Sequence, residues 1–192
     1  MKILIVAATN LEITSDKIKE KPILITGIGM INTAIKLTQE LIKEKYDLVI
    51  NMGVAGSFSD EIKNGDVVEV LEDNFSEIGF ESDSEFLRFV DFNLKTRYQN
   101  KSRTHLKKVK AITVNTVHGS EMSISKIVKR ENPEIESMEG ASVFKVCTEM
   151  GISCIQIRSI SNKIEKRNKN NWKLDLAISN LNIEVEKVID NL

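Results

Sequence analysis

Lys2–Ala8 is a nearly unbroken apolar run, which predicts a strand buried on both faces. Pro22–Thr26 repeats the pattern and is closed by Gly27 and Gly29. Leu48–Met52 repeats it again before Gly53 and Gly56. Further strands are predicted over Asp66–Leu71, Lys110–Val114 and Ile152–Ile157. Between these runs the period changes. Ile31, Ala34, Ile35, Thr38, Leu41 and Ile42 recur as one face of a helix after Gly29. Ala141, Phe144, Cys147 and Thr148 form a second helix, stopped near Gly151. Leu174, Ile178, Leu181, Val185, Val188 and Leu192 mark a third, with Trp172 at its start against the core. Strands alternating with helices predict α/β layering around a largely parallel sheet. No stretch reads as a linker, so residues 1–192 are expected to form a single domain. Residues 73–107 are the exception: rich in phenylalanine and charge, with no clean period. They are expected to be a long loop with short helices, either a solvated excursion or a functional segment.

Composition narrows the function classes. Of 192 residues, 27 are Lys or Arg and 28 Asp or Glu, a balance that gives no basic footprint for nucleic acid. With 41% hydrophobic and 29% charged residues the chain is ordinary globular material. It contains no run of 18 apolar residues, so no membrane span is expected. Polar and acidic residues follow the first apolar run at once, which makes it a first strand rather than a signal peptide. A cytoplasmic protein follows as the expectation. Cys147 and Cys154 fit no metal spacing and are expected to be buried thiols. No metal and no cofactor are expected.

Two loops and one hexapeptide carry the candidate chemistry. Gly27-Ile28-Gly29 follows a strand and opens a helix, but Asn32 stands where a dinucleotide fingerprint needs its third glycine. Gly27–Asn32 and Gly53–Ser57 are small-residue loops at strand ends, where open α/β sheets bind ligands. The site is therefore expected on that rim, with Glu12, Met30, Val54, Ala55, Gly56, Glu139, Ser161 and Asn162. Glu136-Ser137-Met138-Glu139-Gly140-Ala141 places carboxylates at the start of a helix. Complementing the helix dipole explains either glutamate; the methionine between them, followed by small residues, points to a site.

With these motifs in hand, the chain resembles the nucleoside phosphorylase/nucleosidase superfamily nearly end to end. MKILIVAATNLEI is similar to that family's first strand and glutamate loop. GIGMINTA is similar to its glycine turn, VINMGVAGSF to its INTGSAG-type loop, ESMEGA to its ribose motif, and IRSISN to its RAISD-type strand end. Within the superfamily, IGFESD, VNTVHGSE and RSISNKIEKRNKNNWKLDLAI resemble the futalosine hydrolases. The resemblance implies a three-layer α/β/α sandwich with a mixed, largely parallel central sheet, assembled as dimers or larger. It implies that Glu12 activates the attacking water and that Glu139 binds ribose hydroxyls, with Met138 against the sugar. Val54, Ala55 and Gly56 would lie over ribose and base, and Thr116 and Val117 would border the purine. Asn162, next to Ser161, would read the base.

Thr116 departs from the aromatic that stacks on adenine in methylthioadenosine nucleosidases, and Asn162 departs from their catalytic aspartate. Hypoxanthine offers two acceptors, O6 and N7, to which a carboxamide can donate and an ionised aspartate cannot. The implied reaction is hydrolysis of futalosine to hypoxanthine and dehypoxanthine futalosine, in the alternative route to menaquinone. Alternatives are a methylthioadenosine/S-adenosylhomocysteine nucleosidase, a purine nucleoside phosphorylase, and a non-catalytic nucleoside sensor. The glycine loops carry no arginine for phosphate, which weighs against the phosphorylase. Phe80, Phe86, Phe89, Arg97 and Arg167 are candidates for the substrate's 5′ side.

Overall fold

Ile3–Ala7 (β1) is buried at every position, as an interior strand covered on both faces requires. The computed structural model describes residues 1–83 and 85–192. After β1 come α1 (Asp16–Lys19), β2 (Ile23–Ile25), α2 (Met30–Lys43), β3 (Leu48–Ser57) and β4 (Val67–Phe75). Then follow β5 (Phe80–Ser82), β6 (Glu85–Leu87), β7 (Arg97–Gln99), β8 (Lys107–Thr113), α3 (Glu121–Glu131) and β9 (Ile135–Ser137). α4 (Gly140–Met150), β10 (Ser153–Lys163) and α5 (Leu174–Asp190) complete the chain, with short 3₁₀ turns at Asn10–Glu12 and Lys169–Asn171.

Among the described residues the main sheet has eight strands. β1 pairs in parallel with β2 and β3, β3 with β10, β4 with β8, and β8 with β9. The β10–β4, β3–β9 and β4–β7 pairings are antiparallel. β3 organises the sheet. One edge runs along β10 from Leu48 to Ser57. The other is shared: Leu48–Asn51 pairs with β1, and Gly56 and Ser57 pair with β9. The sheet thus curls until β9 meets β3, and the loops at that end converge.

Alternation along the central strands fills two cores. Leu4, Val6 and Val49 pack with Leu37, Leu41, Val143 and Phe144 of α2 and α4. Ile3, Ile5, Leu48 and Ile50 pack with Leu181, Val185 and Val188 of α5 on the opposite face. Helices on both faces of a mixed sheet give the expected three layers. Among the described residues, no helix is long and apolar enough to cross a membrane. Cys147 and Cys154 are buried free thiols.

Several expectations need correction. The inward face of α2 is Thr33, Leu37 and Leu41, while Ile31, Ile35 and Ile42 are exposed. Apolar residues occupy both faces of this helix, and periodicity alone selected the outer one. The polar Thr33 faces inward because its hydroxyl donates to Thr26 Oγ1 at 3.2 Å. β3 continues through the glycine segment that was expected to be a loop, and β10 runs to Lys163, because each is paired to the other along its whole length. Residues 73–107 hold no helix among the described residues; they finish β4 and form the β5–β6 hairpin and the edge strand β7. Trp172 precedes α5 but lines a surface pocket rather than the core.

Candidate active site

Glu12 is held from three sides. It ends the Asn10–Glu12 turn, where the N–H and hydroxyl of Thr9 donate to Oε2 at 2.9 and 3.4 Å. The Val54 N–H donates to Oε1 at 3.2 Å. Its carbonyl accepts from Asn182 Nδ2 of α5 at 3.0 Å, and Asn182 Oδ1 accepts the N–H groups of Thr14 and Ser15 at 2.9 and 3.0 Å. A buried carboxylate so fixed cannot swing into solvent.

Glu139 is the N-cap residue of α4, but its side chain makes no capping hydrogen bond. Its Oε1 crosses to α2 and accepts the Gly29 N–H at 2.8 Å. Gly29 has φ 97°, a conformation that turns its N–H toward the carboxylate and that other residues adopt only with strain. Burial raises the Glu139 pKa, and the Gly29 hydrogen bond and the Arg158 charge only partly offset this. The N-terminus of α4 is itself tied down: the Ala141 N–H donates to Thr113 Oγ1 at 2.8 Å, and that hydroxyl donates to buried Asp73 at 2.9 Å.

Between the two glutamates lies Arg158, 1% exposed and the largest fully buried side chain. It stands on β10 beside Gly53 of β3. Its Nη2 donates to Asn51 Oδ1, its Nη1 donates to the Ile157 carbonyl at 3.2 Å, and its Nε has no partner among the described residues. Burial lowers its pKa, against the opposing charges of Glu139, Glu12 and Asp73. A Cβ on Gly53 would lie 2.9 Å from Glu12 Oε1 and 3.3 Å from Arg158 Nη1, so both groups converge over this residue. Neither glutamate forms a direct ion pair with Arg158 among the described residues.

The second half of the site lies farther along the same strand. Gly56 is three residues beyond Gly53, roughly 10 Å at about 3.3 Å per residue. The β3–β10 register slips between Ile160 and Asn162, a bulge that re-aims the Asn162 side chain. The Ser161 hydroxyl donates to Asn162 Oδ1 at 2.8 Å, and Asn162 Nδ2 donates to the Lys163 carbonyl at 3.0 Å. Occupation of Oδ1 by Ser161 and of one N–H by the Lys163 carbonyl fixes the amide with its second N–H available. Asn162 lines a pocket of ≈ 50 Å³ with Gly56, Val117, His118, Glu136 and Trp172.

The structure thus brings Glu12, Val54 and Glu139 to one end, and Gly56, Val117, Ser161 and Asn162 to the other. Met138 is half-buried beside Glu139. Ala55 points away, into the core, because side chains alternate along β3. Thr116 is exposed and does not line the pocket. Glu136 lies on β9 rather than in the helix start it was expected to share with Glu139. Of the 5′-side candidates only Arg167 reaches this pocket. Phe80 and Phe89 pack on each other at 5.3 Å, Phe86 lies under Arg130, and Arg97 pairs with Glu72 and Glu131. Sequence reasoning missed Arg158, Asn182 and the His118–Glu136 pair. An arginine in the middle of an apolar strand was the available signal for the first.

Residues 9–190 match the model of the phosphorylase superfamily. The futalosine hydrolase of Thermus thermophilus is 25% identical over 177 residues, covering 85% of this chain and 79% of that protein. The 5′-methylthioadenosine/S-adenosylhomocysteine nucleosidase of Shewanella halifaxensis is 31% identical over 170 residues, covering 79% and 73%. The solved structure of futalosine hydrolase from Helicobacter pylori superposes with a TM-score of 0.84 at 19% identity, over 99% of this chain and 97% of that one. The family match includes Glu12, Arg158, Glu139 and Asn162 within its bounds, and the chain belongs to the phosphorylase superfamily.

Proposed function

We propose that the protein is a nucleosidase that hydrolyses the N-glycosidic bond of a 6-oxopurine nucleoside, futalosine, releasing hypoxanthine and dehypoxanthine futalosine for menaquinone synthesis. The observation that carries the reaction type is the charge balance around Arg158: two carboxylates, Glu12 and Glu139, act on one buried guanidinium. Cleavage passes through a cationic, oxocarbenium-like sugar. Glu139 places negative charge by the ribose, where it gains most as the cation forms. Glu12 takes a proton from water as that water bonds to C1′, a general-base role typically worth about 10²–10⁴-fold. Arg158 orients the same water, and its charge partly offsets the burial of Glu139. A phosphate dianion would meet an excess of negative charge here, which favours hydrolysis over phosphorolysis. The nucleoside is a small-molecule substrate and the reaction uses no cofactor. A cytoplasmic setting and assembly as a dimer or larger complete the reading.

The base is assigned through Asn162. With Oδ1 occupied by Ser161 and one N–H on the Lys163 carbonyl, its remaining N–H donates to the acceptor edge, N7 and O6, of hypoxanthine. The Shewanella relative supports a second reading, cleavage of a 6-aminopurine nucleoside. Asn162→Asp separates the two. The carboxylate would present only acceptors to hypoxanthine, and one lost hydrogen bond with an unpaired acceptor costs about 1–3 kcal/mol. kcat/KM on the 6-oxo substrate should fall at least tenfold or so, while the 6-amino analogue is spared or improved. An unchanged ratio between the two substrates would remove Asn162 from base recognition.

A further inference from the structure

The pocket around Asn162 contains a second polar group to which the reaction above gives no task. Glu136, 4% exposed on β9, accepts the backbone N–H of His118 at 2.9 Å through Oε1. Its Oε2 lies 2.6 Å from Nδ1 of the same residue's ring. Phe58 meets that ring edge-on, with centroids 6.1 Å apart. A ring gripped in this way has one orientation. With Nδ1 turned to the carboxylate, the remaining polar atom is Nε2, which has no protein partner among the described residues. The ring lines the same pocket as Asn162.

Of the charged groups around this ring, Glu136 is in direct contact through Nδ1. Lys163, Glu165 and Arg167 also line the pocket, but each is engaged elsewhere. Lys163 pairs with Asp60, Glu165 accepts from Asn171 at 2.6 Å, and Arg167 lies over the Trp172 ring at 5.3 Å.

We propose that His118, oriented by Glu136, donates as an imidazolium from Nε2 to the 6-oxo edge of the departing purine. The assignment rests on the 6-oxopurine reading and extends it. When the C1′–N9 bond breaks, its electron pair passes into the purine and the charge spreads to O6. The Nε2–H hydrogen bond stabilises that charge, and the proton stays on the imidazolium. The water oxygen bonds to C1′ and its proton goes to Glu12. The purine then takes a proton from solvent, and Glu12 returns one. An amide alone has no charge to set against the leaving anion, and the imidazolium supplies it. A 6-amino group would confront the imidazolium with a second donor, so the same residue discriminates against adenine. Glu136 is a positioning residue, acting through His118.

The test compares wild type, His118→Ala and Glu136→Gln on three substrates. These are inosine, adenosine and 4-nitrophenyl riboside, whose leaving group departs without help. The expected result is a loss in kcat of roughly 10²-fold on inosine for His118→Ala, with a less than threefold loss on the nitrophenyl riboside. Glu136→Gln should repeat the pattern, losing kcat on inosine while sparing the nitrophenyl riboside, because it frees the ring that Glu136 orients. Equal losses on inosine and the nitrophenyl riboside would make His118 structural and overturn the proposal, as would retained kcat on inosine. A wild type that prefers adenosine to inosine overturns the 6-oxopurine reading itself, and the His118 assignment with it.

Discussion

Gly53→Ala tests the geometry of the carboxylate cluster without removing any of its members. Gly53 sits on β3 beside Arg158, and the added Cβ would lie 2.9 Å from Glu12 Oε1 and 3.3 Å from Arg158 Nη1. Comfortable contact begins near about 3.5 Å, so the Glu12 carboxylate must retreat by roughly half an ångström. The carboxylate is the end of a flexible side chain and yields cheaply. The expected stability loss is below about 1 kcal/mol, a fall of ~2–4 °C in Tm for a chain of this size. The Val54 N–H bond to Oε1, already 3.2 Å, would lengthen beyond useful range. Misplacing a catalytic group by about 1 Å costs roughly 10²-fold, so half that shift should lower kcat by about tenfold or more. KM should stay near its wild-type value, because Glu12 acts on water rather than on ground-state substrate. Initial rates of hypoxanthine release, with Tm measured on the same preparation, make the test. Full kcat in Gly53→Ala would show that the Glu12 carboxylate does not work from this position. A collapse in Tm would show that the contact is with a rigid neighbour.

Two pH effects follow from burial. Burial raises the Glu139 pKa, and this group must be ionised to stabilise the sugar cation. Activity should therefore fall as pH drops through a value above the ordinary glutamate range near about 4.3; a kcat/KM profile flat down to pH 4 would contradict this. Burial also pushes Asp73 up to about 6 from 3.8. The folded state then binds a proton that the unfolded state releases, so this group's contribution to stability is greatest below about pH 4 and is lost as pH rises toward 6. Urea unfolding should show wild type losing on the order of 3 kcal/mol relative to Asp73→Asn across that window, whereas parallel curves would place Asp73 in contact with water.

The fold was legible wherever one pattern had one meaning. The β1 run, the Gly151 stop after α4 and the apolar face of α5 around Leu181 and Val185 were read directly, because burial on both faces or on one stripe leaves a distinct period. α2 was misread because Ile31 and Ile35 make an equally good stripe on the exposed side. β9, with three residues, is too short to carry a period, and its placement depends on closure of the sheet against β3. The chemistry divides the same way. Glu12, Glu139 and Asn162 stood out because each lies in a recognisable motif at the end of a strand or the start of a helix. Arg158 lay within an apolar strand and acquires its meaning only from Asn51 and the two glutamates across the sheet. Asn182 supports Glu12 from 170 residues away, a distance no local pattern spans.

The central claim is hydrolysis of a 6-oxopurine nucleoside, and the products decide it. Purified protein is incubated with futalosine, inosine and methylthioadenosine, each with and without phosphate, and the products are separated and identified. The account predicts hypoxanthine with free dehypoxanthine futalosine, formed fastest from futalosine, at a rate that phosphate leaves unchanged. A sugar 1-phosphate, or adenine from methylthioadenosine as the main product, would contradict it.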